Sequence, residues 1–275
     1  NKYMKKKLLC LMLFVLSLPW FYKQNNALEI NEIKIFDKRI PINFDGFRIA
    51  QLSDFHNTTL GKENAQLIEQ LKEAKPNIIV ITGDFIDSRI TDIDKAISFI
   101  EKIKDIAPIY YVTGNHESRI KDEYDLLEKS LHEFNVNVLR NDNQMIEMNQ
   151  DKIQISGIDD PAMFKDKMNY VHYLNKLGNK DIYTILLSHR PEYFDLYVEY
   201  EYPSVLCGHA HGGQIRLPFI GGILAPGQGF FPKYDAGLYH KENTNMIVSR
   251  GIGNSLFPLR INNHPEIIVI ELNRK

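Results

Sequence analysis

Cysteine is nearly absent from this chain of 275 residues: Cys10 and Cys207 are its only two, far apart and in unlike surroundings. Their isolation excludes both a disulfide framework and a thiolate zinc site. An excess of positive charge is missing as well, since 33 Lys and Arg stand against 35 Asp and Glu. A nucleic-acid-binding domain would be clearly basic. Internal repeats, low-complexity tracts and a linker long enough to divide the chain are also lacking, which argues against solenoids and domain arrays. The one long apolar run, Leu8 to Tyr22, has fifteen residues. At about 1.5 Å per residue it makes a helix of roughly 22 Å, short of the ~30 Å hydrocarbon core.

That run is nevertheless informative. Lys5, Lys6 and Lys7 precede it and Lys23 follows, a basic region with an apolar region behind it, as in targeting segments. It is apolar on every face, unlike a surface helix of a globular domain. Residues 1–27 are therefore expected to be an N-terminal signal anchor or, if cleaved, a signal peptide. No small-x-small site precedes Ala27, which favours the anchor. Lysines held on the cytoplasmic side would place residues 28–275 outside it. The expected location is the cell membrane with an extracytoplasmic catalytic domain, or secretion if the segment is removed. The segment carries five lysines and no acid, leaving 28 basic against 35 acidic residues beyond it. Such an acidic domain disfavours nucleic acid, and no protein partner is predicted.

From Leu28 onward the pattern is α/β. Short Ile- and Val-rich runs at 47–52, 77–82, 108–113, 182–187 and 204–207 read as buried strands. Amphipathic segments at 64–74, 93–104 and 122–134 read as helices, with Thr91 and Asp94 resembling a capping box. The βαβ rhythm implies a largely parallel sheet covered by helices. Residues 136–158, where Asn-Asp turns separate short alternating runs, predict a meander or second sheet, and 246–249 and 266–272 add strands.

Polar groups follow the strands. After the first comes Asp54-Phe55-His56; after the second, Gly83-Asp84-Phe85-Ile86-Asp87; after the third, Gly114-Asn115-His116-Glu117; then Ser188-His189 and Gly208-His209-Ala210-His211. In open α/β sheets that edge is where ligands bind. Carboxylates, one amide oxygen and several imidazoles suit Zn, Mn or Fe better than Ca or thiolate-bound copper. Seven such groups exceed the needs of one tetrahedral metal, whereas two metals sharing a carboxylate would use them all and suit hydrolysis at phosphorus. Five of the nine histidines lie in these clusters; His132, His172, His240 and His264 read as surface or core residues.

The order Asp-x-His, Gly-Asp-x-x-Asp, Gly-Asn-His-Glu, His, Gly-His-x-His, spanning 54 to 211, resembles the signature of the calcineurin-like metallophosphoesterase superfamily. The segments 208–218, 236–239 and 249–253 further resemble its bacterial membrane-associated phosphohydrolase branch. The resemblance implies an α/β fold with two mixed β-sheets in a sandwich flanked by helices. It implies two divalent metal ions, Mn, Fe or Zn, one on Asp54, His56, Asp84 and His211 and the other on Asp84, Asn115, His189 and His209. A hydroxide bridging the two metals would attack phosphorus, and His116 would protonate the leaving oxygen or stabilise phosphoryl charge. Asp87 and Glu117 would orient imidazoles or fix the His116 tautomer, and Arg89, Arg216 and Arg250 are candidate phosphate clamps.

The expected reaction is hydrolysis of a phosphodiester or pyrophosphate bond. Residues 217–234, with four glycines and three prolines among Phe219, Ile220, Ile223, Leu224, Phe230 and Phe231, are expected either to wall the site for a lipid-linked or nucleotide-linked phosphoester at the membrane or to fill core. Alternative functions are a nuclease or a non-catalytic, metal-stabilised phosphate-binding module.

Overall fold

The apolar runs form strands because both of their faces are covered. The computed structural model describes residues 2–254 and 259–275. In chain order its elements are α1 (Lys2–Asn26), β1 (Glu29–Asp37), β2 (Phe47–Leu52), α2 (Ala65–Glu73), β3 (Ile78–Thr82), α3 (Ile93–Ile103), β4 (Ile109–Val112), α4 (Lys121–Glu133) and β5 (Asn137–Val138). There follow β6 (Asp142–Met148), β7 (Asp151–Gly157), α5 (Lys167–Leu177), β8 (Thr184–Leu187), α6 (Phe194–Glu199) and β9 (Ser204–Cys207). Two small hairpins, β10 (Arg216–Leu217) with β11 (Gly221–Gly222) and β12 (Leu224–Ala225) with β13 (Gly229–Phe230), precede β14 (Gly237–Lys241), β15 (Thr244–Val248) and β16 (Glu266–Arg274).

The strands build two mixed sheets of six. One runs β1-β16-β2-β3-β4-β5, antiparallel only between β16 and β2; the other runs β14-β15-β9-β8-β7-β6, antiparallel only at its two outer pairs. Alternation sorts the side chains into layers. Ile78 and Val80 of β3 join Ile185 and Leu187 of β8 in the core between the sheets, while Ile79 and Ile81 face a second core with Leu67, Phe99 and Leu127 of α2, α3 and α4. Leu186, Val205 and Cys207 face a third core with Tyr170 and Leu174 of α5 and Tyr197 of α6. The result is a sandwich of two sheets between two helical layers, and each fully buried Ile or Leu contributes about 1.5–3 kcal/mol.

Several expectations need adjustment. α3 is capped by Asp92, which accepts the Lys95 N–H at 3.0 Å, and not by a Thr91–Asp94 box. The stretch 136–158 serves both sheets: β5 extends the edge of the first, and the β6–β7 hairpin opens the second.

α1 exposes the apolar residues of its middle, and no helix among the described residues is long and apolar enough to cross a membrane. Its last turn is bonded to the rest of the chain. The Asn262 N–H donates to Gln24 Oε1 at 2.6 Å and the Arg260 N–H to Asn25 Oδ1 at 3.0 Å.

Candidate metal centre

The carboxyl ends of β2, β3 and β4 in one sheet meet those of β8 and β9 in the other. Gln51 Nε2 reaches across to Cys207 O at 2.8 Å, and the His209 N–H donates to Asp54 Oδ2 at 3.0 Å. This junction gathers Asp54, His56, Asp84, Asn115, His116, His189, His209 and His211, all buried. Asp54, His56, Asp84, His209 and His211 adopt φ between +48° and +67°. For residues with a Cβ this left-handed backbone costs on the order of 1 kcal/mol each and persists where its surroundings enforce it. Glycine permits the crowding. A Cβ on Gly208 would lie 1.8 Å from Ser53 Oγ and 2.5 Å from Asp54 Oδ2, and one on Gly83, at φ +86°, would lie 2.6 Å from His189 Nδ1.

Within the junction Asp54, His56, Asp84 and His211 each bring a ligand atom within 4.8 Å of the others, and so do Asp84, His189 and His209; Asp84 belongs to both groups. His56 Nε2 and His211 Nε2 are 3.3 Å apart, each within 3.9 Å of Asp54 Oδ1. His189 Nε2 lies 3.2 Å from Asp84 Oδ2 and 3.2 Å from His209 Nδ1, while its Nδ1 meets Thr82 O at 2.7 Å. The Thr82 carbonyl can only accept, so the His189 proton on that side is fixed and Nε2 faces the cluster. Among the described residues Asn115 Oδ1 is buried without a hydrogen-bond partner.

Electrostatics divide the group. Burial drives His56 down to about 4 and holds His209 and His211 well below the ordinary imidazole range, so these rings are neutral, the form that binds cations. Burial, with the Asp84 charge nearby, pushes Asp54 up to about 6. Burial works against ionisation of both Asp84 and His189, yet their mutual attraction prevails: it holds Asp84 well below the usual carboxylate range and raises His189 to about 10. Buried carboxylates and converging imidazole nitrogens are costly without a cation. The nitrogen and oxygen donor set fits Mn, Fe or Zn. Among the described residues no thiolate competes, because Cys207 is buried on the far face of β9 and burial raises its thiol well above the ordinary range.

The family model for calcineurin-like phosphoesterases matches residues 47–213, the span that holds this junction. The chain belongs to the calcineurin-like phosphoesterases. It is accordingly a metal-dependent phosphoric ester hydrolase of a dimetal family. The metallophosphoesterase YkuE of Bacillus subtilis is 33% identical over 258 residues, 91% of this chain and 87% of YkuE. The phosphodiesterase YaeI of Escherichia coli is 28% identical over 235 residues, 82% of each chain. A zebrafish transmembrane protein with a metallophosphoesterase domain is 28% identical over 260 residues, 90% of this chain and 57% of that protein. Among solved structures TT1561 of Thermus thermophilus shares the fold, with a TM-score of 0.53 at 12% identity over 75% of this chain and 90% of that one.

Around the metal centre of this phosphoesterase some side chains do other work than the sequence suggested. Glu117 orients no imidazole; its carboxylate accepts the backbone N–H groups of Asp84, Phe85, Ile86 and Gly114 at 2.7–3.2 Å, lashing the β3 and β4 loops together. Asp87 is 3.6 Å from His116 Nδ1 and bonds Arg89, whereas the Ser88 N–H donates to His116 Nδ1 at 3.0 Å. His116 also shares a compact group with His56 and Asp87. The three candidate clamps already hold carboxylates: Arg89 pairs with Asp87, Arg216 with Asp235, and Arg250 with Glu266 and Glu29. Sequence reasoning missed Arg190, which pairs with buried Asp160 and places Nη1 2.9 Å from His209 Nε2. Its position directly after His189 was the available signal.

Proposed function

We propose that this phosphoesterase hydrolyses phosphodiester or pyrophosphate bonds, with Asp54, His56, Asp84 and His211 holding one divalent cation and Asp84, Asn115, His189 and His209 the other. The membership of Asp84 in both compact groups carries this reading. When bound, the two cations supply Lewis acidity toward phosphoryl oxygens and acidify the water that attacks phosphorus. His116, whose backbone N–H donates to Asp84 Oδ1 at 2.8 Å and whose Nε2 stands 4.0 Å from Asp84 Oδ2, offers a hydrogen bond that stabilises charge on the leaving oxygen or the phosphoryl group. The Thr82 carbonyl orients His189, and the Glu117 carboxylate fixes the loop that carries Asp84.

The substrate we propose is lipid-linked or nucleotide-linked and met at a membrane, with α1 as anchor and residues 28–275 as the catalytic domain on the extracytoplasmic side. Support comes from the exposed apolar surface of α1, the lysines before it, and the likeness to the phosphodiesterase YaeI and the zebrafish transmembrane protein. A panel of monoester, aryl diester, pyrophosphate and lipid-linked substrates, each with Mn, Fe or Zn, tests the proposal. Diester or pyrophosphate hydrolysis that stops on chelation is expected. Turnover of none of them by metal-loaded protein would overturn it.

A further inference from the structure

The chain directly after His211 turns its aromatic residues outward. Phe219, Phe230 and Phe231 are exposed by 109%, 74% and 64%, and Ile220, Leu217 and Leu224 are exposed beside them. Their backbone is firmly held. β10 pairs with β11 and β12 with β13; the Ile223 N–H donates to Ile215 O at 2.9 Å, the Phe231 N–H to Ile223 O at 2.8 Å, and the Gln228 side chain makes two hydrogen bonds with the Tyr234 backbone. Ala225 and Tyr234 bury themselves beneath the hairpins. The aromatics therefore stand in water on an ordered scaffold, which is costly unless something covers them.

One short segment ties these hairpins to α1 and to the metal centre. Residues 260–263 take the end of α1 through Gln24 and Asn25, hold the base of the double hairpin through the Arg216 N–H on Ile261 O at 2.9 Å, and reach the metal centre through Asn263 Nδ2 on His211 O at 2.7 Å. α1 carries Lys5, Lys6 and Lys7 and then an exposed run apolar on every face. Residues 217–231 contain no charged side chain, and Arg216 and Lys233 flank them. Arg216 is paired with Asp235, so exposed Lys233 supplies the basic flank; uncharged aromatics beside it match the interfacial layer of an anionic bilayer, and a single short apolar segment gains stable anchorage from a second membrane contact.

We propose that the double hairpin 217–231 is a bilayer-docking surface, with Phe219, Ile220, Phe230 and Phe231 entering the lipid interface as a second anchor beside α1 and holding the metal centre at the lipid surface. The proposal rests on the membrane part of the proposed function and is independent of its chemistry.

Trp20, in α1, is the one tryptophan of the chain, so tryptophan placement reports docking cleanly. The full-length variants W20F/F230W and W20F/H132W are mixed with phosphatidylcholine–phosphatidylglycerol vesicles whose acyl chains are brominated near the headgroup. His132 is an exposed residue of α4 and serves as the control. Fluorescence of W20F/F230W is expected to fall at least about twofold while W20F/H132W is unchanged. The variant F219S/F230S/F231S is expected to bind vesicles at least about tenfold more weakly and still hydrolyse a soluble aryl phosphodiester. No quenching at position 230, equal quenching at 132, or unchanged vesicle binding by the triple variant overturns the proposal. Wild-type protein that docks but cleaves no phosphoester contradicts the catalytic reading alone.

Discussion

The backbone N–H of Ser88 donates to Nδ1 of His116 at 3.0 Å. An accepting Nδ1 carries no proton, so in the neutral ring the proton is on Nε2, the nitrogen 4.0 Å from Asp84 Oδ2. Burial also lowers the His116 pKa, which keeps that neutral tautomer dominant at pH 7. His116→Ala should therefore slow cleavage of diesters with alkyl leaving groups by about 10²–10³-fold, and of nitrophenyl diesters much less, because the Nε2–H hydrogen bond stabilises charge on the leaving oxygen and a good leaving group needs little of it. Steady-state rates on the two substrate classes decide it. Equal losses on both would contradict a role at the leaving oxygen.

Glu117 tests a different kind of contribution. Burial pushes its carboxyl up to about 7, but four backbone N–H groups aim at its oxygens and favour the anion. Glu117→Gln turns an amide donor toward those donors. A loss of about 3 kcal/mol in stability is expected by denaturant unfolding, together with weaker cation binding, since Asp84 lies on the loop it holds. Wild-type stability in this variant would show that the lashing is dispensable.

Gly208 has no room for a side chain. The methyl group of Gly208→Ala would overlap Ser53 Oγ and crowd Asp54 Oδ2, displacing a carboxylate proposed to hold a cation. Metal analysis of the purified variant should find less cation per chain than in wild type, even if the fold survives by circular dichroism. Full occupancy would mean that the loop shifts without cost.

Metal binding should release a proton from His189. Burial lowers the pKa of this ring, but Asp84 and Asp54 more than compensate and bring it to about 10, above the ordinary 6.5. In metal-free protein the pair with Asp84 therefore stabilises the fold fully below pH 6.5, and that stabilisation is lost as pH rises through about 10. A cation requires the neutral ring, so affinity should rise roughly tenfold per pH unit within that window. Calorimetry in buffers of differing ionisation enthalpy measures the released proton directly. An affinity indifferent to pH between 7 and 9 would exclude a protonated His189.

Much of this was legible in the chain because strands buried on both faces need unbroken apolar runs. The run from Phe47 to Leu52 is β2 residue for residue, and Asp54, Asp84 and His209 follow their strands at the expected positions. β1 was harder to read: its partner β16 is contributed by the far end of the chain, and no local pattern announces a pairing of that range. Long-range partners also decided the arginines. Arg216 and Arg250 look free in sequence, and only the fold brings Asp235, Glu266 and Glu29 to them. The Ser88 contact was invisible for another reason, since a backbone N–H carries no residue-type signal. The Gly- and Pro-rich stretch 217–234 reads in sequence as either site wall or core filler, and its outward-facing phenylalanines emerged only with the hairpin pairing.

The sharing of Asp84 between two cation positions is the central claim, and one paired measurement reaches it. Wild-type protein and Asp84→Asn, each saturated with Mn, are compared for bound metal per chain and for hydrolysis of an aryl phosphodiester. Wild type is predicted to hold two cations and turn over substrate, whereas Asp84→Asn loses cation occupancy and its hydrolysis falls to background. An Asp84→Asn protein with both cations bound and near wild-type turnover would contradict the account.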